Sequence, residues 1–255
     1  MEGVTLGPDE LARYARHLVL REIGGVGQLR LKRASVAMVG AGGIGSPAIQ
    51  YLAAAGVGRL VLIDDDRVEA SNLQRQTIFR TADIGAAKAA AAAEAATAIN
   101  PHVVIEQRAT RLGEGNAAEL LGGADVVIDG SDSFATRLAV ADAALAARIP
   151  LVSAAVGQFE GQLAVYRGWE AGKPCYRCLV GNAPSRDGGS CADDGVLGPM
   201  VGMIGSLAAL EAIRSITPFG DDPAGQLLIA DMLYFRVRTI RLEKDPACRC
   251  RITTA

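Results

Sequence analysis

Between Ser35 and Ala155, five short apolar runs alternate with longer stretches in which apolar residues recur at helical spacing. Ser35-Val36-Ala37-Met38-Val39 reads as a buried strand ending in a glycine cluster, after a helical stretch that starts near Asp9. The pattern continues as helix Ile44 to Ala55, strand Arg59 to Asp64, helix Ala86 to Ile99 and strand Val103 to Gln107. Helix Asn116 to Leu121, strand Asp125 to Asp129, helix Phe134 to Ala147 and strand Leu151 to Ala155 complete it. Strand-helix alternation of this kind predicts a parallel, doubly wound, Rossmann-like sheet, because each crossover helix must return the chain to the same edge of the next strand.

Beyond Val156 the alternation changes. Gln162 to Tyr166, Gln226 to Ile229 and Phe235 to Leu242 are strand-like, with one good helix from about Met200 to Ile216 among them. This predicts an extension of antiparallel strands. The run Ala87 to Ala96 is strong helix former, no internal repeat is visible, and no linker is long enough to separate a second domain. The expectation is one domain over 1–255: an N-terminal helical segment 1–34, a nucleotide-binding core 35–156 and an extension 157–255.

Charge changes the picture by exclusion. With 26 Lys and Arg against 28 Asp and Glu, no nucleic-acid or membrane surface is expected from bulk electrostatics, so any anion site must be local. The N-terminus lacks a basic region followed by an apolar one, and the most apolar stretch, Val196 to Leu210, is broken by glycines and Pro199. A cytoplasmic, soluble protein is expected. Four of the five cysteines fall into close pairs, Cys175/Cys178 and Cys248/Cys250, which suits a metal clip better than a disulfide framework.

The glycine cluster is Gly40-Ala41-Gly42-Gly43-Ile44-Gly45, a GxGxxG at a strand-to-helix turn. Glycines there admit close backbone approach to phosphate, and the helix start offers free N–H groups and positive potential. Asp64, at the end of the next strand, can accept from ribose hydroxyls. An NAD-dependent oxidoreductase would show the same features, and a non-catalytic nucleotide-binding or redox-sensing module is a third reading. The segment after Asp64 argues for ATP: a polar loop carrying Arg75, then Lys88 near the next helix start. Taken singly, each reads as an ordinary solvated cation. Beside the glycine loop they suit a triphosphate, whose repulsion toward an incoming carboxylate must be neutralised.

Through these residues the chain resembles the E1-like adenylating enzymes (MoeB/ThiF/HesA-type) of the molybdopterin-synthase and thiamine sulfur-carrier pathways, related to the adenylation domains of ubiquitin-activating enzymes. The resemblance runs from Arg13-Tyr14-Ala15-Arg16-His17 through Gly27-Gln28, the glycine loop, Asn72-Leu73-Gln74-Arg75-Gln76, Lys88, Asn100-Pro101 and Asp129 to Asp132, to Cys175-Tyr176-Arg177-Cys178 and the final cysteines. It implies a Rossmann-like fold and ATP-dependent adenylation of the C-terminal Gly-Gly carboxylate of a ubiquitin-fold sulfur-carrier protein. It further implies that Gly42 and Asp64 contact the adenosine end, and that Asp66, Asn72, Arg75, Gln76 and Lys88 surround ribose and phosphates. Asp132 would hold Mg²⁺, although Asp129 and Asp132 also sit where an aspartate caps a helix. Arg16 would reach into the partner's site of a homodimer; alone, it reads as a charged residue on an amphipathic helix. Ser133 stands where the family often has Asn.

The implied chemistry suits the inventory. A carboxylate is already ionised at neutral pH, so attack on the α-phosphorus needs no general base, and the only histidines, His17 and His102, lie in no recognisable base arrangement. Four thiolates from Cys175, Cys178, Cys248 and Cys250 would make a structural zinc site; the family usually has CxxC at the second pair, whereas here Arg251 follows a CxC. Cys191, in a glycine-rich acidic loop, matches a cysteine that is covalently active in some branches of the family, yet without a local base it also reads as an inert loop thiol. With no rhodanese-like stretch after Ala255, a separate sulfur donor is expected.

Overall fold

The structure is a computed structural model that describes residues 4–181 and 195–250. Three helices open it: α1 (Pro8–Arg13), α2 (Ala15–Leu18) and α3 (Gly24–Arg33). The core then runs β1 (Ser35–Val39), α4 (Gly45–Ala55), β2 (Arg59–Ile63), α5 (Lys88–Ile99), β3 (Val104–Arg108), α6 (Ala117–Leu121), β4 (Val126–Asp129), α7 (Phe134–Ala146) and β5 (Leu151–Gly157). The remainder is β6 (Glu160–Tyr166), α8 (Tyr176–Val180), α9 (Gly198–Ile216), β7 (Gln226–Asp231) and β8 (Arg236–Arg241).

All these strands form one sheet in the order β3-β2-β1-β4-β5-β6-β7-β8. β3 to β5 pair in parallel, while β6, β7 and β8 add antiparallel. The doubly wound reading and the antiparallel extension are both borne out. One face of the sheet is covered by α4, α5 and α9 and the other by α6 and α7, so β1, β2 and β4 are apolar on both sides and read as continuous hydrophobic runs. By length and composition α9 is apolar enough to span a membrane, but Met200, Val201, Ile204, Ala208 and Ala212 are buried in the core of the fold.

Several residues of the motif that begins at Arg13 prove to be staples. Buried Asn100 donates from Nδ2 to the Tyr14 hydroxyl at 2.8 Å and to the Ala53 carbonyl at 2.7 Å. Gln28, fully buried, donates to the Ala55 carbonyl at 2.8 Å. They fasten the N-terminal helices to the end of α4 and satisfy polar groups that would otherwise be costly to bury. One boundary needs correction: Phe235 is not in a strand. Its φ of 52° and 91% exposure place it in the β7–β8 turn, where the Asp231 carboxylate accepts from the Tyr234 N–H.

The order of the parallel strands places a topological switch between β1, whose crossover leads to β2 on one side, and β4 on the other. Ligands of open α/β sheets bind in the crevice at the carboxyl ends of such strands. Val39 pairs with both Ile63 and Asp129 there.

Candidate active site

The glycine loop leaves β1 at this switch point and enters α4. A Cβ on Gly45 would stand 2.2 Å from the Gly40 carbonyl oxygen, so only glycine lets the helix start so close to the strand end. At Gly42 the constraint is different. A Cβ there would meet only the Gln76 side chain, at 3.5 Å, which is ordinary contact. The fold itself does not need a glycine at 42, whereas a phosphate approaching the backbone does.

The loop forms one wall of a cleft of about 440 Å³. Gly42, Asp64, Asp66 and Asn72 line it, together with Arg75, Gln76, Lys88 and Asp132, so eight residues singled out from the sequence converge on one place. Asp64 Oδ2 accepts from the Ala41 N–H at 2.7 Å and Oδ1 from the Asp66 N–H at 2.9 Å, tying the glycine loop to the end of β2. Burial raises the pKa of this carboxyl above the ordinary aspartate value, the two backbone bonds and the Lys88 charge offsetting only part of the cost. Lys88, at the first position of α5 and 6% exposed, pairs with the more exposed Asp66 at 2.8 Å. Arg75 is held by the Ser71 carbonyl at 3.1 Å. Gln76 is 4% exposed and its Oε1 has no hydrogen-bond partner among the described residues, so a buried polar atom in this cleft is left for a ligand to satisfy.

The far wall comes from the β4–α7 loop. Asp129, 1% exposed, accepts from the Ser131 N–H at 3.0 Å and its hydroxyl at 2.7 Å, while Ser133 caps α7 by accepting from the Thr136 N–H. Of the two aspartates, Asp129 therefore builds the loop and exposed Asp132 is presented at the cleft. Two further cations line the same cleft, Arg111 and Arg137. Arg137 donates to the Ser131 and Ala154 carbonyls and lies 3.9 Å from Asp129, bracing the Asp132 loop against β5. Its place five residues after Asp132, on the first turns of a helix starting at the cleft, was the available signal in the sequence.

The sequence profile of the ThiF family matches residues 14–251. The chain belongs to the ThiF family. Among the relatives of this ThiF-family chain is the sulfur carrier protein adenylyltransferase of Thermus thermophilus, 45% identical over 94% of this chain and 90% of the relative. Another is the SAMP-activating enzyme E1 of Haloferax volcanii, 42% identical over 96% of this chain and 90% of its own length. The fold is shared with a crystal structure of E. coli MccB with MccA-N7isoASN, at a TM-score of 0.81 and 21% identity over 93% of this chain and 74% of that one. Neither sequence relative is named as an oxidoreductase, and the nicotinamide reading gains no support.

In this ThiF-family chain the four cysteines of the two pairs gather. Sγ of Cys175 lies 3.9 Å from Cys178 and 3.6 Å from Cys248, and Cys178 lies 3.6 Å from Cys250. Thiolates ~2.3 Å from a tetrahedral zinc stand ~3.8 Å apart, whereas a disulfide requires ~2 Å. The spacing fits a metal, and the early position of Cys250 does not keep it from the cluster, where it is fully buried. Burial and neighbouring sulfurs push the Cys250 thiol up to about 11 and Cys175 higher still, so cation binding must displace protons.

Two candidates lie outside these constellations. Arg16 is exposed on α2 and does not line the cleft of its own chain. Cys191 falls outside the described residues.

Proposed function

We infer that this protein is an ATP-dependent adenylyltransferase that activates the C-terminal Gly-Gly carboxylate of a ubiquitin-fold sulfur-carrier protein, releasing pyrophosphate. The observation that carries the reading is the convergence of the glycine loop, Asp64, Arg75, Lys88, orphaned Gln76 Oε1 and Asp132 on one cleft at the sheet's switch point. The names of the relatives supply the substrate class.

In this reading the nucleotide lies with its phosphates on the N–H groups of the glycine loop and its ribose beside Asp64. Arg75 and Lys88 spread positive charge over the phosphates, so the anionic carboxylate approaches the α-phosphorus against less repulsion. Lys88 meets this need because its partner Asp66 is solvated, and a phosphate can replace or share that pair at low desolvation cost. Asp132 is the protein carboxylate that would hold Mg²⁺, an ion that screens phosphate charge and stabilises the departing pyrophosphate. No residue need remove a proton from the nucleophile. Gly42, Asn72 and Gln76 position the nucleotide, and Arg137 keeps the Asp132 loop in place.

The finer partners follow the same line. We place Arg16 in the partner's cleft of a homodimer. It is exposed and not among the residues lining its own cleft, on a segment whose Val19, Leu20 and Val26 are 77%, 49% and 67% exposed and so offer an apolar face for a second copy. The cysteine cluster would hold a structural zinc ion, the chain would act as one adenylation domain in the cytoplasm, and sulfur would arrive from a separate donor protein.

The test is ATP–pyrophosphate exchange with Mg²⁺ and a panel of ubiquitin-fold proteins ending in Gly-Gly. Exchange that appears with a carrier and vanishes when its last glycine is removed is expected. Absence of exchange with every carrier, together with tight NAD binding, would return the chain to the oxidoreductase reading. Acidity offers a further check on Asp64. Its raised pKa means that the charged acceptor is lost at a higher pH than for a solvent-exposed aspartate. Affinity for a non-hydrolysable ATP analogue is thus expected to start falling above the ordinary aspartate range of about 4, with Asp64→Asn flattening that limb in calorimetric titrations.

A further inference from the structure

One carboxylate far along α7 contacts both halves of the cysteine clip. Asp142 accepts two hydrogen bonds from Arg177, Nε to Oδ1 at 2.8 Å and an η-nitrogen to Oδ2 at 2.7 Å. Its Oδ2 also pairs with Arg249. Arg177 lies inside the first pair, Cys175-Tyr176-Arg177-Cys178, and Arg249 lies between the cysteines of the second, Cys248-Arg249-Cys250. The two pairs stand 70 positions apart at their nearest cysteines, Cys178 and Cys248, and ordering them against each other costs chain entropy that sulfur–metal bonds alone would otherwise have to offset.

The charges fit a thiolate-bound cation. A Zn²⁺ ion with four thiolates carries a net charge of about −2, and the two guanidinium groups of the cysteine loops, less the Asp142 carboxylate they share, offset about half of it. Left unpaired, those guanidiniums would repel each other and an incoming cation. The Arg177 side chain is 9% exposed and that of Asp142 34%, so the bidentate bond is shielded from water on the arginine side.

We propose that Asp142 is the positioning residue of the metal clip, a carboxylate on α7 that docks both cysteine loops through Arg177 and Arg249 and thereby sets how tightly the four sulfurs hold their ion. This inference rests on the zinc reading above. It assigns a role to a residue that is neither a ligand nor part of the nucleotide cleft.

The experiment measures zinc content of the full-length protein and the rate at which zinc passes to a chromogenic chelator, for the parent, Asp142→Asn, Arg249→Met and the double variant. Release from Asp142→Asn is expected to quicken by at least tenfold, with ATP-analogue affinity unchanged. The double variant is expected to be little faster than the faster single one, because both changes break the same clamp. A purely structural role would change the unfolding midpoint without this non-additive gain in release. Should Asp142→Asn prove insoluble, Arg249→Met carries the test, since that side chain is 49% exposed and its loss empties no core position. Release within twofold of the parent in the soluble variants would overturn the proposal while leaving the zinc reading intact. A parent without zinc would overturn both.

Discussion

Replacing Lys88 with alanine is expected to lower carrier-dependent ATP–pyrophosphate exchange by about 10²–10³-fold, the effect of removing one preorganised charge from a site where charge develops. The fold should survive. Lys88 Nζ makes its ion pair with Asp66, whose side chain is 65% exposed, so the carboxylate left behind is rehydrated and no buried charge is stranded. Thermal unfolding of the variant should stay close to the parent. Arg75→Ala is expected to act in the same direction, its side chain being held, among the described residues, by the Ser71 carbonyl. Exchange assays with saturating carrier, paired with calorimetric unfolding, separate the two effects. Equal exchange in parent and Lys88→Ala would remove the main cation from the proposed phosphate site.

The second large effect concerns the metal clip. Cys178→Ser is expected to abolish stoichiometric zinc and to cost about 3–5 kcal/mol, or ~10 °C in unfolding midpoint for a chain of this size. The loss should fall on the extension. Cys175, Cys248 and Cys250 are buried around the missing ligand, and the segment after β8 is also tied down by the Leu242 N–H on the Gly225 carbonyl at 2.8 Å, by a Lys244 bond to the Gly168 carbonyl at 2.7 Å and by the Arg249–Asp142 pair. The glycine loop belongs to a separate apolar cluster, so affinity for an ATP analogue should change little. Elemental analysis and differential scanning calorimetry test this directly. Wild-type metal content in Cys178→Ser, or no zinc in the parent, would count against a four-cysteine site.

Much of this arrangement was legible along the chain, for identifiable reasons. Strands buried on both faces show as continuous apolar runs, and the glycine loop shows because backbone approach tolerates no side chain. The features that escaped depend on which way a side chain points from an element. Arg137 reads as one more polar position of an amphipathic helix until α7 is seen to start at the cleft, where it braces the Asp132 loop through the Ser131 and Ala154 carbonyls. Asp142 sits in an alanine-rich stretch, and nothing local links it to arginines at 177 and 249. Phe235 has strong strand preference, but the β7–β8 hairpin needs a left-handed residue there and the turn prevails. The displaced cysteine of the second pair is accommodated because the chain turns at 248–250 and still brings Cys250 to Cys178.

The most direct test of adenylation uses a carrier whose C-terminal carboxylate is labelled with ¹⁸O, incubated with ATP, Mg²⁺ and a sulfide donor. Attack of that carboxylate on the α-phosphorus, followed by displacement, leaves one labelled oxygen in AMP, and mass spectrometry of the released nucleotide is expected to find it. Unlabelled AMP, or ADP with the label in inorganic phosphate, would show that the carboxylate is activated by another route and would contradict the adenylyltransferase assignment.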